Sequence, residues 1–352
     1  MGALRDSAMR ADYRTGIGSP LYFHHASSLE HDTGPHPENK ARIPAIEGEL
    51  EARGWLGLER REAPAAERAA VTAVHAEEYV NAIRAAAEGG GGYLDSDTIM
   101  SAGSYRAALH AAGGACAMVD ELLAGNAPFA FCGMRPPGHH AERATAMGFC
   151  LFNNVAIAAQ HALGRGAERV LVLDWDVHHG NGTNDIFHGR PDVLFASIHQ
   201  SPLYPGTGPL TDTGSGAGEG FSLNLPVPPG SGERTFVSLV QHVVAPAARE
   251  LRPGIVLVSA GYDAHREDPL ASCELEDGSY AALAACVRDL GSELGAPVGV
   301  VLEGGYALGA LARSVAATIE ALGGDVAPPD VEPDAVTARA VEHLGRWWPL
   351  AA

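Results

Sequence analysis

Arg169-Val170-Leu171-Val172-Leu173-Asp174-Trp175-Asp176-Val177-His178-His179-Gly180-Asn181-Gly182 is the stretch on which the reading of this chain turns. Its first part is a β-branched apolar run of strand length, with an arginine and a glycine flanking it upstream. In an extended chain, side chains at i, i+2 and i+4 share one face. Asp174, Asp176 and His178 therefore project together from the C-terminal end of a strand. Two carboxylates and an imidazole are half of a divalent-metal site. A buried strand rarely ends in such a group without a counter-charge.

Working outward, similar short apolar runs recur at Leu21–His24, Ala127–Cys132, Val193–His199, Phe221–Leu225, Ile255–Ala260 and Val298–Leu302. Helical patterns lie between several of them, among them Ser104–Leu123, Asn154–Leu163, Arg234–Glu250, Ser279–Leu294 and Leu308–Leu322. The alternation predicts an α/β fold, a mostly parallel multi-stranded sheet with helices on both faces. In such sheets ligands bind outside the carboxyl ends of the strands, and that is where the polar clusters fall. The glycine run Gly89–Gly92 and the segment Gly206–Gly220 read as mobile loops. No composition shift or low-complexity linker divides residues 1–352, so one domain is expected.

Composition narrows the function classes. The chain is 46% hydrophobic and 19% charged, with a formal net charge of −19. That charge argues against direct nucleic-acid binding and is compatible with a basic partner. The five cysteines are odd in number and lack CxxC spacing, so they read as buried thiols of a reducing compartment. The first residues lack a signal-peptide core, and no apolar run reaches membrane-spanning length. A cytoplasmic protein without membrane contact is the expectation. No GxSxG elbow, P-loop or dinucleotide fingerprint appears in its required context.

A metal reading needs a third ligand beside Asp176 and His178. Asp263 is the best candidate, since it follows the strand Ile255–Ala260 through Gly261-Tyr262. Three protein ligands leave the open position of a catalytic site. The set suits zinc, and also Fe(II), Co(II) or Mn(II). Arg135-Pro136-Pro137-Gly138-His139-His140 holds two histidines rigidly after a turn. One of them can take a proton from water and return it to a leaving amine, with Asp174 behind one of the pair. Leu302-Glu303-Gly304-Gly305-Tyr306 presents a tyrosine whose hydroxyl can stabilise an oxyanion. Gly148-Phe149-Cys150 and Tyr204-Pro205-Gly206-Thr207-Gly208 supply aromatics for a narrow apolar channel. Taken singly, paired histidines are more often structural, and such aromatics are equally ordinary core residues.

In order, the segments Pro136–His140 (PPGHH), Gly148–Asn154 (GFCLFNN), Asp174–Thr183 (DWDVHHGNGT), Ser197–Gly208 (SIHQSPLYPGTG), Ser259–His265 (SAGYDAH) and Leu302–Tyr306 (LEGGY) closely resemble the zinc-dependent histone deacetylase family. The resemblance is to the class II-like branch and its bacterial relatives, which include acetylpolyamine amidohydrolases. It runs from about Phe23 to about Val315. It implies the arginase/deacetylase-like fold and one Zn²⁺ bound by Asp176, His178 and Asp263. It further implies His140 as general base and acid, His139 as its electrostatic partner with Asp174 behind it, and Tyr306 polarising the scissile carbonyl with zinc. Gly148 would offer its carbonyl to the substrate amide, while Phe149 and Tyr204 flank the acyl-lysine stem. A structural K⁺ or Na⁺ would sit among Asp174, Ser197 and the carbonyls of Asp176, His178 and Ile198. Arg42 matches an arginine near an inner acetate-release cavity.

Two positions depart from parts of the family. Asn181 replaces the aspartate that some branches place behind the second histidine, so the two histidines should titrate differently. Leu270 follows Asp268-Pro269 where polyamine-specialised relatives carry a glutamate. Asp95 and Asp97 are acidic residues of the loop Gly92–Thr98, which would form the channel rim, and are read first as solvated turn residues. The expected substrate is therefore acyl-lysine or a similar N-acyl primary amine, with acetylpolyamine as the alternative. A two-manganese ureohydrolase would need further aspartates where Asn181 stands. A non-catalytic binder of acylated amines would not need His139, His140 and Tyr306 together. Homo-oligomerisation is compatible with the sequence.

Overall fold

The apolar runs become strands of one sheet because both of their faces find cover. The computed structural model describes residues 18–350. The segment in which no signal-peptide core was found, residues 1–17, lies outside these, as do both ends of the expected 1–352 domain. The strands are β1 (Leu21–His24), β2 (Glu59–Glu62), β3 (Gly91–Tyr93), β4 (Ile99–Ser101), β5 (Phe129–Cys132), β6 (Val170–Asp174), β7 (Val193–Gln200), β8 (Ser222–Val227), β9 (Ile255–Ala260) and β10 (Val298–Leu302). Eight of them form a sheet in the order β2-β1-β5-β10-β9-β6-β7-β8, and every neighbouring pair in it is parallel. β3 and β4 make a separate antiparallel hairpin.

Alternation along β6 shows how the layers form. Leu171 and Leu173 pack on one face with the helices Glu233–Leu239, Asp277–Leu294 and Leu308–Gly323. Val170 and Val172 pack on the other face with Ser104–Leu123 and Asn154–Gly164. A parallel sheet covered on both faces reads as continuous apolar runs, which is why its strands were legible. β2 is the exception: Glu59-Arg60-Arg61-Glu62 is fully exposed and charged, and no hydrophobic pattern announces it. It is an edge strand, where charge blocks further pairing.

Two loop expectations change. Gly91 and Gly92 are strand residues of the β3–β4 hairpin. Gly206–Gly220 is tied down by hydrogen bonds, including His199 Nε2–H to the Gly208 carbonyl at 2.9 Å and Ser215 N–H to the His188 carbonyl at 2.8 Å. The five cysteines are buried and free. No helix of the described residues is long and apolar enough to cross a membrane.

Candidate active site

Four neighbouring strands, β5, β10, β9 and β6, stand at the centre of the sheet. Their C-terminal ends deliver His139 and His140, Glu303 to Tyr306, Asp263, and Asp174 to His178 respectively. Parallel pairing puts all four ends on the same side, so residues far apart in sequence converge.

Asp176, His178 and Asp263 form one buried group whose ligand atoms lie within 4.8 Å of one another. His178 Nδ1 is 3.1 Å from Asp176 Oδ1 and 3.1 Å from Asp263 Oδ2. One ring N–H cannot satisfy two carboxylates, whereas a divalent cation satisfies all three donors. The outer carboxylate oxygens are fixed by backbone donors: Gly304 N–H to Asp176 Oδ2 at 2.9 Å and Val177 N–H to Asp263 Oδ1 at 3.0 Å. Gly304 permits this approach, since a Cβ there would lie 2.1 Å from Asp263 Oδ2. The donor set therefore fits a metal such as zinc.

The paired histidines are held differently. His139 Nδ1 meets Asp174 Oδ2 at 3.0 Å, and its Nε2 is 3.8 Å from Asp176 Oδ1. Burial opposes charge on His139, but the Asp176 and Asp174 carboxylates outweigh it and raise its pKa to about 10. His140 Nδ1 meets Asn181 Oδ1 at 2.7 Å. The Asn181 amide nitrogen donates to Glu142 Oε1 at 2.9 Å, so the amide oxygen must face His140 and accept its Nδ1–H. That assigns the lone pair of neutral His140 to Nε2. Burial, then the neighbouring His139, holds the His140 pKa well below the ordinary value.

Tyr306 stands between Phe149 and Arg42. Its ring meets Phe149 edge-on at 5.7 Å, and the Arg42 guanidinium lies 5.2 Å from its centroid. Arg42 is fully buried. Its Nε donates to the Gly305 carbonyl at 2.7 Å and its Nη2 to the Glu303 carbonyl at 2.5 Å. Tyr204 closes the opposite side, edge-on to His140 at 5.3 Å and His178 at 6.3 Å. Tyr204 is 39% exposed while His140 is 4% exposed, so the aromatics form the mouth of a recess floored by the histidines.

Gly148 and Phe149 both have left-handed backbone, φ 55° and 70°. A Cβ on Gly148 would lie 2.3 Å from the His140 ring. Phe149 holds a conformation that is costly for a non-glycine residue, a kind of strain that clusters at functional sites. Its N–H donates to Thr98 Oγ1 at 3.2 Å, which ties the hairpin loop to the mouth. Asp95 lies in that loop, where its Oδ1 accepts the Asp97 N–H at 3.0 Å. The Gly148 carbonyl already accepts the Cys150 thiol at 3.3 Å. Leu270 is half-buried just beyond Asp268. Asp174 pairs in register with Ser197, whose Oγ lies 3.1 Å from His199 Nδ1.

Glu303 and Glu38 are buried carboxylates without an assigned role in the sequence reading. Glu303 Oε2 accepts the N–H groups of Gly138 and His139 at 2.6 and 3.1 Å, so it anchors the histidine loop. Glu38 is fully buried and pairs with Arg135 and Arg42. A lone acidic residue ending an apolar strand before two glycines was the available signal for Glu303.

An eight-stranded parallel sheet with a buried Asp–His–Asp group at its carboxyl end defines the class as the arginase/deacetylase fold. The crystal structure of the HDA15 HD domain superposes with a TM-score of 0.88 at 35% identity, covering 94% of this chain and 96% of that one. The histone deacetylase domain model matches residues 36–322, and the chain belongs to that family. It is 40% identical over 325 residues to histone deacetylase 14, chloroplastic, of Arabidopsis thaliana, covering 87% of this chain and 77% of that protein. It is 41% identical over 292 residues to the histone deacetylase-like amidohydrolase of Pseudomonas aeruginosa, covering 82% and 76%. A probable deacetylase of Archaeoglobus fulgidus is 39% identical over 310 residues, covering 85% of each chain. Deacetylase or amidohydrolase chemistry is thus the family's activity.

Proposed function

We propose that this chain is a single-domain, zinc-dependent amidohydrolase that removes acetyl groups from acetyl-lysine or similar N-acyl primary amines. The observation that carries the reading is convergence at four adjacent strand ends. A three-donor metal group, a neutral histidine with its lone pair on Nε2, and a phenol stand around one recess.

Asp176, His178 and Asp263 would hold the metal, which when bound would supply a Lewis acid for the carbonyl and lower the pKa of a water. His140 Nε2 accepts the proton of the attacking water and returns it to the leaving amine. His139, hydrogen-bonded through Nδ1 to Asp174, is the electrostatic partner of His140 and stabilises negative charge that develops beside it. The Tyr306 hydroxyl donates to the forming oxyanion, a contribution worth on the order of 10²–10³-fold. Gly148 accepts the substrate N–H through its carbonyl's second lone pair. Phe149, Tyr204 and Leu270 line the stem. A monovalent cation beside Asp174, Ser197 and Ile198 rests on the family resemblance and the Asp174–Ser197 register alone.

Two measurements test this. Metal content should be one ion per chain, falling well below that in Asp263→Ala. On zinc-loaded protein, kcat/KM for an acetyl-lysine peptide should exceed that for N-acetylputrescine by about tenfold, and Tyr306→Phe should lower kcat on the order of 10²-fold. Preference for N-acetylputrescine would establish the polyamine alternative. No turnover above Tyr306→Phe on either substrate would refute the proposed activity.

A further inference from the structure

Asp268 lies five residues beyond Asp263, on the same loop after β9, and no role above uses it. It is 6% exposed. Its Oδ2 accepts the N–H of Tyr306 at 2.6 Å and of Ala307 at 3.2 Å. Its Oδ1 accepts the Leu270 N–H at 3.0 Å. One carboxylate thus spans the loop after β9 and the loop after β10.

The tyrosine needs such a tether. It follows Gly304 and Gly305, and Gly305 sits at φ 118°. Two glycines leave the backbone many alternative paths. The helix Leu308–Gly323 that follows has Ala307 at its N-cap, with no side-chain cap of its own. Arg42 and Phe149 bracket the phenol ring, and Arg42 also holds the Glu303 and Gly305 carbonyls upstream of it, but the amides of Tyr306 and Ala307 themselves are held by Asp268. Asp268 fixes this backbone by receiving both amides on one carboxylate oxygen.

The tether is itself anchored. The Asp268 N–H donates to the His265 carbonyl at 2.8 Å. His265 Nε2 lies 3.2 Å from Asp277 Oδ1. Arg313 bridges Asp277 Oδ2 at 2.7 Å and Glu267 Oε1 at 2.9 Å. Asp277 opens the helix Asp277–Leu294 and Arg313 lies on Leu308–Gly323, so two helices hold the segment in place.

We propose that Asp268 is the positioning residue for Tyr306: by gripping the Tyr306 and Ala307 amides it sets where the phenol hydroxyl stands relative to the scissile carbonyl. The inference rests on Tyr306 acting as the oxyanion donor. An error of about 1 Å at a reacting centre costs on the order of 10²-fold, so the effect belongs in kcat. Asn at 268 is nearly isosteric, yet its amide can accept on one side only, so it cannot satisfy both loops.

The test is a double-mutant cycle of Asp268→Asn and Tyr306→Phe, assayed on an acetyl-lysine peptide with zinc-loaded protein. Thermal midpoint and metal content are followed alongside. Asp268→Asn should lower kcat by about 10- to 100-fold with KM changed less than about threefold, while metal content stays at that of the parent protein. In the Tyr306→Phe background the same substitution should cost less than about twofold, since the group it positions is gone. Asp268→Glu keeps both carboxyl oxygens and shifts the acceptor by one methylene. It should show a smaller kcat loss, and it carries the test if the Asn variant does not fold. Equal losses in both backgrounds, or an unchanged kcat in Asp268→Asn, overturn the inference while leaving the Tyr306 reading intact. A Tyr306→Phe variant as active as its parent overturns both.

Discussion

Asn181 is the residue whose chemistry departs most from a carboxylate-backed histidine pair. An amide oxygen fixes the His140 tautomer and raises its basicity less than a carboxylate would, and burial beside His139 holds its pKa low. Asn181→Asp puts a negative charge 2.7 Å from Nδ1, which favours the imidazolium. A base of raised pKa is free only at higher pH, so the acidic limb of kcat/KM should move to higher pH. A pH–rate profile of both proteins checks the direction. Gly148 is constrained by space as well as by its backbone. With φ 55° and the His140 ring 2.3 Å from a built Cβ, Gly148→Ala must displace either the loop or the ring. Its kcat should fall on the order of 10²-fold with little change in thermal midpoint, as activity and melting assays would show.

Among the elements, the helix Ala335–Leu344 illustrates how local signals and tertiary contacts combine. Asp334 caps it, its Oδ1 accepting the Thr337 N–H at 2.9 Å, while Oδ2 accepts the Thr235 hydroxyl at 2.6 Å. Asp334→Ala removes a cap and leaves the half-buried Thr235 hydroxyl short of a partner. The expected loss is about 1–2 kcal/mol in urea unfolding with unchanged kcat. The span read as one helix, Arg234–Glu250, runs from Glu233 to Leu251 with a π-helical turn at Val240–Val244. Pro246 sits just beyond that turn and lacks the N–H an α-helical bond to residue 242 would need. Apolar periodicity tolerates such a bulge, so it located the helix and missed the turn. The charged strand β2 was missed for the opposite reason, because its pairing with β1 is made by backbone alone.

The whole molecule carries an acid-sensitive histidine outside the catalytic recess. His75 Nδ1 donates to the Glu142 carbonyl at 2.9 Å and Nε2 accepts the Asn153 N–H at 2.9 Å. Burial pushes its pKa from 6.5 down to about 4. The unfolded chain therefore takes up this proton first, and the folded form loses stability as pH falls from about 6.5 toward 4. Above 6.5 the ring is neutral in both states and no penalty applies. The complete loss is roughly 3 kcal/mol. Urea midpoints at pH 7 and pH 4.5 should differ less in His75→Gln than in the parent chain, and an equal difference would remove His75 as the cause.

The sequence by itself determined the sheet's buried strands and where chemistry could gather. Runs such as Val170–Leu173 and Ile255–Ala260 must be covered on both faces, and polar residues at their ends have nowhere to go but the carboxyl edge. Period-2 spacing grouped Asp174, Asp176 and His178 in the sequence, but the strand ends at Asp174 and a bend, closed by Asp174 and Asp176 oxygens accepting the Asp176 and His178 amides, places the other two. The tertiary structure alone decided the strand order that makes β5, β10, β9 and β6 neighbours, because pairing between segments far apart in sequence leaves no local trace. It also decided the partners of Glu303 and Asp268, whose carboxylates bind backbone amides of other loops. A backbone N–H is the same in every residue but proline, so no residue type in the sequence marks which ones a buried carboxylate will hold.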